Sequence, residues 1–465
     1  IAVLISLITI SVSKSDVSIK GVVSKSFGTN LGRDIDGDRD LDWAFIGDNI
    51  ATINSDDYAN CLALDSEGNV YVAGESYKGN NADVYVMKLR NDGILDSGFG
   101  NNGKVVFDNI AGGNWRDYAN YLYVDNQNNI YITGKSKNKK GNYDMYVMKL
   151  KNSGSLDNNF GKNGIVILDN ITGSSLDDVG ETLYVDDKSN IYVAGESYKN
   201  SDYSVVYVMR LKSDGRVDEF FGKDGKVVFD NIIGFKGKDY VSSLYVDSKG
   251  NIYLGGRSYG GATYKATDGR EVYIYKGYLI KLNNDGSLDS KFGKDGKVIF
   301  DFWKRGSKVS KSMYVDSEGN IYVAGYKVND DKTSDVYVMK LRNDGSLDSR
   351  FGNKGIVMVD KIKDGVNPSW SVANSLYVDN YGNIYVTGYT FDGDSSIYVM
   401  KLKNNGDLDN TFGDEGILLI NNVADRGSNK VDRSNFLYLD KNGKIYITGE
   451  SRGTKSLDMF IIKIE

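Results

Sequence analysis

The sequence predicts an all-β chain folded as a seven-bladed β-propeller, with four antiparallel strands per blade. Three observations predict it. The string Asn-Ile/Val-Tyr recurs with its tyrosine at Tyr71, Tyr131, Tyr192, Tyr253, Tyr322 and Tyr385, and a degenerate Lys-Ile-Tyr stands at Tyr446. The separations are 60, 61, 61, 69, 63 and 61 residues. A second string, Leu/Val-Asp-x-x-Phe, starts in the same register at Leu41, Leu95, Leu156, Val217, Leu288, Leu347 and Leu408. Between these markers apolar residues alternate with period two, and no convincing stretch has the helical period. Repeated sheets that cannot bury both faces alone do so by packing radially.

Residues 371–420 show the elements in order. SVANSLYVD alternates and forms the first strand, and NIYVTG, β-branched and aromatic, forms the second. SIYVMKL alternates again, and GILLI is a short apolar fourth strand. The first turn runs Asp379, Asn380, Tyr381, Gly382, Asn383. Glycine supplies the positive φ there, and the Asp side chain can accept from the turn amides. The first strand is bulky on both faces, with Leu376 and Val378 on one and Tyr377 on the other, as expected between neighbouring blades.

The ends predict closure. The C-terminus stops at MFIIKI, the third strand of the seventh unit, whereas the N-terminal copy begins with Leu41-Asp-Trp-Ala-Phe45 followed by NIATIN. Residues 49–54 are expected to complete the last blade, which removes an open sheet edge. Residues 1–13, IAVLISLITISVS, are uncharged and short for a membrane-spanning helix. They fit the apolar core of a secretory signal remnant; a short anchor, a pilin-like assembly segment or an extra strand are the alternatives. Residues 14–36 read as a linker with an acidic loop, and residues 37–465 as the propeller.

The paired strings LDxxFGxxG and GNIYVAG, carried through about residues 37–465, resemble the delta-sixty repeat of bacterial and archaeal surface or secreted proteins. They are also similar to the SBBP and NHL β-propeller repeats. The resemblance implies a seven-bladed ring with the SLYVD-type strand innermost, and a secreted or cell-surface location. It implies no shared catalytic set.

Composition excludes several chemistries. The 465 residues contain no His and one Cys, so there is no Ser-His-Asp triad, His-ligated zinc or internal disulfide. A net charge of −6 gives no electrostatic footprint for nucleic acid. No cofactor is required by any motif. Calcium is the one ion suggested: Asp34, Asp36, Asp38 and Asp42 lie in DIDGDRDLD, which is similar to the loops of FG-GAP and VCBS repeats. Arg39 stands where those loops favour Gly, Asp42 is also the ordinary Asp of the LDxxF string, and a solvated acidic linker is the alternative.

Function is expected where the copies differ. The connection entering the first strand carries Trp115, Trp303 and Trp370 in single units. The connection after the second strand begins Glu75, Lys135, Glu196, Arg257, Tyr326, Tyr389 and Glu450, and is longest in the fourth unit, SYGGATYKATDGREVY. Aromatics beside mixed charges on one loop face suit a polysaccharide or a surface protein; scattered surface aromatics are the plainer explanation. A membrane is expected only through an uncleaved N-terminal segment. The sequence favours a non-catalytic binding scaffold. A carboxylate-based hydrolase or lyase, and a structural subunit of a surface layer or filament, stand as alternatives.

Overall fold

The structure is a computed structural model. It describes the chain except residues 1–10, 14–15, 19–28, 33–40, 49, 51–54, 266–270, 301–306, 330–332, 361, 363–369, 392, 422, 425–430, 454–455 and 465. The fold is an all-β, seven-bladed propeller with four antiparallel strands per blade. Two compact units divide it, residues 109–360 and residues 1–108 with 361–465.

The first unit holds blades 2 to 5. Blade 2 comprises Gly112–Val124, Ile130–Asn138, Tyr143–Leu150 and Ile165–Leu168. Blade 3 comprises Asp178–Val185, Ile191–Asn200, Tyr203–Leu211 and Lys226–Phe229. Blade 4 comprises Asp239–Val246, Ile252–Lys265, Glu271–Leu282 and Lys297–Phe300. Blade 5 comprises Ser307–Val315, Ile321–Val328, Ser334–Leu341 and Ile356–Val359. The first strands of these blades stand side by side, and Tyr123, Tyr184, Tyr245 and Tyr314 form a row with ring centroids 5.5, 5.6 and 6.3 Å apart. The core lies between blades: Tyr192, Ala194, Val206 and Val208 of blade 3 meet Val241, Leu244, Val246 and Ile252 of blade 4. Each strand offers apolar groups to both neighbours, which explains why both of its faces are bulky.

The second unit holds blades 6, 7 and 1. Blade 6 comprises Trp370–Val378, Ile384–Phe391, Ser395–Leu402 and Ile417–Asn421. Blade 1 comprises Asp57–Leu64, Val70–Lys78, Asn81–Leu89 and Lys104–Phe107. Blade 7 takes Asp432–Leu439, Ile445–Arg452 and Leu457–Ile464 from the C-terminus and Leu41–Gly47 from the N-terminal region. The last pair is antiparallel, with Phe460 opposite Ile46, Ile462 opposite Ala44 and Ile464 opposite Leu41. The strand beside Leu457–Ile464 is therefore Leu41–Gly47 of the N-terminal region, upstream of the expected residues 49–54. Of those, only Ile50 is described, buried in a bend. The closing strand is the Leu41 string itself.

Residues before the propeller also contribute strands, one at the end of segment 1–13 and two within the expected linker 14–36. Ser11–Ser13 and Asp16–Ser18 form a hairpin, and Asp16–Ser18 runs parallel to Ile417–Asn421 of blade 6. Thr29–Gly32 pairs antiparallel with Leu41–Gly47. Residues 1–10 lie outside the described residues. No helix among the described residues is long and apolar enough to cross a membrane.

The repeat strings have local causes. In blade 1, Asp65 Oδ1 accepts from the backbone N–H groups of Glu67 and Asn69 at 3.0 and 2.9 Å. Its Oδ2 accepts from Asn69 Nδ2 at 2.8 Å and from the Tyr71 hydroxyl at 3.2 Å. The same pattern holds at Asp125, Asp186, Asp247, Asp316 and Asp379, so Asp-x-x-Gly-Asn-Ile/Val-Tyr is one hydrogen-bonded turn, with Asn128 and Ser189 taking the glycine's positive φ in blades 2 and 3. The glycine within the second strand has a different cause. A Cβ on Gly74 would lie 1.7 Å from the Tyr58 carbonyl oxygen, and that oxygen accepts from the buried Tyr85 hydroxyl at 2.9 Å. The first strand carries a bulge there, between Ala59 and Cys61, which pushes the carbonyl toward the glycine.

Candidate functional site

Each residue of the set Glu75, Lys135, Glu196, Arg257, Tyr389 and Glu450 lies on its blade's second strand opposite the first, paired with Tyr58, Tyr118, Val179, Tyr240, Val372 and Arg433 respectively. Tyr326 is paired with Lys308 in the same way. The acids of this belt are buried and engaged within the fold. Glu75 Oε2 accepts from Asn60 Nδ2 at 2.6 Å, and Glu450 Oε2 from Asn435 Nδ2 at 2.6 Å. Glu196 Oε1 accepts the N–H of Val241 at 2.7 Å, tying blade 3 to blade 4.

In blades 1 and 7 the residue at the first-strand bulge is Asn60 or Asn435; in blade 3 it is Glu181. An amide that donates to the belt acid is thus replaced by a second carboxyl. Burial, then the charge of Glu181, holds the Glu196 carboxyl well above the usual range, against the Val241 N–H, Lys135 and Arg257.

The four-blade unit carries two clusters of aromatic and basic groups. In blade 2 the Lys135 ammonium lies 5.0 Å from the Tyr118 ring and 5.1 Å from Tyr143. Lys137 lies 5.1 Å from Trp115, which is 53% exposed. Burial and the neighbouring Tyr118 push the Tyr143 phenol up to about 12. In blade 4 the Arg257 guanidinium sits 4.6 Å from Tyr240 and 5.1 Å from Tyr275, and those rings are 5.7 Å apart. Its Nε has no hydrogen-bond partner among the described residues. The row continues outward along the long hairpin: Tyr275 to Tyr259 at 6.4 Å, and Tyr259 to Tyr273 at 5.5 Å. Tyr273 is 50% exposed.

The second-third strand insertion builds this row. Ile252–Lys265 and Glu271–Leu282 extend past the sister hairpins: Tyr275 is paired with Tyr259, and beyond a register shift Tyr273 is paired with Thr263. The entering connection supports its base: a Cβ on Gly237 would lie 2.5 Å from Tyr259, so the chain passes directly over that ring.

Trp115 belongs to the four-blade unit and half-buried Trp370 to the three-blade unit, while Trp303 lies outside the described residues. In the three-blade unit, Arg433 lies 5.4 Å from the Tyr389 ring and 3.9 Å from Glu450. Burial, Asp56, Glu450 and Glu75 push the Tyr58 phenol up to about 12 there. The sequence reading singled out Lys135 and Arg257 but not the tyrosines around them. The signal was present in the fourth unit's extra length and in its Tyr-x-Tyr spacing.

The acidic motif divides. Asp34, Asp36 and Asp38 lie outside the described residues. Asp42 forms an ion pair with Lys463 at 2.8 Å. That is the bond its counterparts make: Asp96 with Lys88, Asp157 with Lys149, Asp218 with Arg210, Asp289 with Lys281 and Asp409 with Lys401. Asp42 is thus an element of the repeat. Among the described residues, no group of three or more Cys, Asp or Glu is placed to hold a metal ion.

Comparison with known proteins agrees with this architecture. Residues 66–99, 128–160, 190–221, 317–351 and 382–412 match the family described as a domain of unknown function (DUF5122) beta-propeller. Residues 232–261 match the SBBP beta-propeller repeat. No curated protein matches the chain. Among solved structures, a polysaccharide lyase of family PL25, an ulvan lyase, is 14% identical over 87% of this chain and 93% of its own, with a TM-score of 0.50. The same enzyme bound to -[GlcA(1-4)Rha3S]- gives 0.51 at the same identity and coverage. The polysaccharide lyase Uly1 is 11% identical, covers 94% of each chain and has a TM-score of 0.46. At such identity the PL25 likeness shows a common fold alone.

Proposed function

We propose that this chain is a secreted or cell-surface scaffold that binds acidic polysaccharide through the loop clusters of blades 2 and 4. One observation carries the reading: the Arg257 guanidinium between Tyr240 and Tyr275, with Tyr259 and exposed Tyr273 continuing the row outward. Sugar rings stack on aromatic faces, and a guanidinium takes carboxylate or sulfate as a fork. Binding a uronic-acid or sulfated chain uses both properties at once. The solved neighbour bound to -[GlcA(1-4)Rha3S]-, a glucuronate linked to a sulfated rhamnose, supports the same ligand class here.

The second reading is a carboxylate-based lyase or hydrolase. It draws on the PL25 lyase neighbour and on Glu181 beside Glu196, where two carboxyls meet in the belt. Against it, Glu196 already accepts a backbone N–H, and burial first holds the Tyr240 and Tyr275 phenols in their neutral form. A phenol that does not ionise is a poor base.

Affinity electrophoresis of the full chain in gels containing glucuronate-rich sulfated, unsulfated acidic and neutral polysaccharides tests the proposal. Runs with calcium and with chelator cover the candidate ligands Asp34, Asp36 and Asp38. Retardation by the acidic polymers alone is expected. Loss of polymer viscosity, with unsaturated uronate detected by ultraviolet absorbance, would favour the lyase; retardation by none would remove the binding reading.

A further inference from the structure

In blades 1 to 5 the fourth strand is the last of its sheet. The residue on it opposite the third-strand tyrosine is exposed in four of them: Val106 40%, Ile167 42%, Val228 41% and Met358 39%. Blades 6 and 7 differ. Their equivalents, Leu419 and Ile46, are 5% and 2% exposed, and both lie where the N-terminal region adds another strand. Leu419 is paired with Asp16 and Ile46 with Thr29.

A further difference separates the open edges. The fourth strands of blades 1, 3 and 4 begin with Lys104, Lys226 and Lys297. A lysine on an edge strand discourages pairing with another chain. At that position the two covered blades carry Ile417 and Ala44, neither charged. Blades 2 and 5 carry Ile165 and Ile356, and their edges, Ile165–Leu168 and Ile356–Val359, contain no charge at all. Over these four positions they are apolar like Ile417–Ile420 of the occupied edge of blade 6, with Asp169 and Asp360 following where blade 6 has Asn421, and no strand is paired on them among the described residues.

We propose that the outer edges of blades 2 and 5 are strand-accepting sites, and that their occupant is the N-terminal segment of a second copy of this chain. Residues 1–10, IAVLISLITI, are uncharged and rich in β-branched residues. They lie outside the described residues and adjoin the hairpin that already covers blade 6. Strand addition recognises the backbone through main-chain hydrogen bonds and uses alternate side chains for packing. The N–H and C=O of Ile165 and Ile356 already bond to Lys162 and Asn353, as those of Ile417 do to Asp414 in blade 6, so the backbone offered for pairing begins at Ile167 or Met358. The inference requires that residues 1–13 remain on the mature chain, and it does not depend on the glycan reading.

Sedimentation velocity of the full chain over a range of concentrations tests it, with intact mass verifying the N-terminus. Reversible self-association is expected. The Ile165→Lys/Ile356→Lys variant places lysine where blades 1, 3 and 4 have it, so its melting curve should stay close to the parent. Its association constant should fall at least about tenfold, a change of ~1.4 kcal/mol. Ile8→Lys/Ile10→Lys should do the same from the donor side. A full chain that stays monomeric at every concentration overturns the proposal. So does association that survives either double variant: survival in the edge variant rejects the sites, and survival in the donor variant alone means that edges pair directly with edges.

Discussion

Ile462 and Ala44 are paired partners across the last two strands of blade 7, although they come from opposite ends of the chain. Ala44 is fully buried, and the Lys463–Asp42 ion pair lies beside the pairing. The strand is therefore a structural member of blade 7. Ala44→Asp should destabilise the protein by about 3 kcal/mol or more, because it buries an unpaired carboxylate. Thermal unfolding followed by circular dichroism checks this, and a shift under a degree would mean that the closing strand contributes little.

The glycine within the second strand, Gly74 in blade 1, is fixed by a backbone contact. Gly74→Ala puts a methyl 1.7 Å from the Tyr58 oxygen, whereas Gly98→Ala meets only the Asp96 carboxylate at 3.3 Å. The first should cost roughly 2 kcal/mol or more, and the second well under ~1 kcal/mol. Urea titrations of the two variants give the comparison. Equal midpoints would show that the bulge relaxes.

Two groups of acids set the pH response in opposite directions. Burial pushes the Asp57 carboxyl up to about 7, and Asp178 and Asp239 up to about 6. For these the folded state holds the proton more tightly than the unfolded one. Their contribution is fully present below the ordinary carboxylate range and is lost as pH rises through about 6 to 7. Asp409, held down to about 2 by Lys401, works the other way: its contribution is lost as pH falls through that value. Melting temperature should therefore pass through a maximum near pH 4 to 5 and decline toward neutrality. Asp57→Asn should flatten the neutral limb, and an unchanged slope would remove Asp57 as a cause.

The turn Asp is a separate test. Asp125 accepts from two backbone amides, Asn129 and Tyr131. Asp125→Ala should cost about 2 kcal/mol, and Asp125→Asn less, since one side-chain oxygen can still take the amides. Chemical denaturation resolves the difference.

Much of this was legible because the repeat strings are local devices. Asp125, Asn129 and Tyr131 lie within seven residues, and their bonding follows from spacing. The closing strand was misplaced for an equally physical reason. In blade 1 the chain makes a Phe-Gly-x-x-Gly turn after Leu95 before Val106 pairs with Tyr85. After Leu41 no such turn exists, so Ile46 reaches Phe460 directly. The belt acids read as ligand groups because their partners, Asn60 and Asn435, sit at bulges that period-two counting cannot locate. The aromatic row around Arg257 joins residues from two strands and depends on hairpin register, which sequence spacing leaves open.

Titration calorimetry of the full chain with a sulfated, glucuronate-containing polysaccharide reaches the binding claim most directly, with Tyr273→Ala and Arg257→Gln measured beside it. Tyr273 is half exposed, so its loss should spare the fold. Saturable binding is predicted, weakened at least about tenfold by each substitution, ~1.4 kcal/mol apiece. Absence of binding to the parent, or equal affinity in all three proteins, would contradict the account.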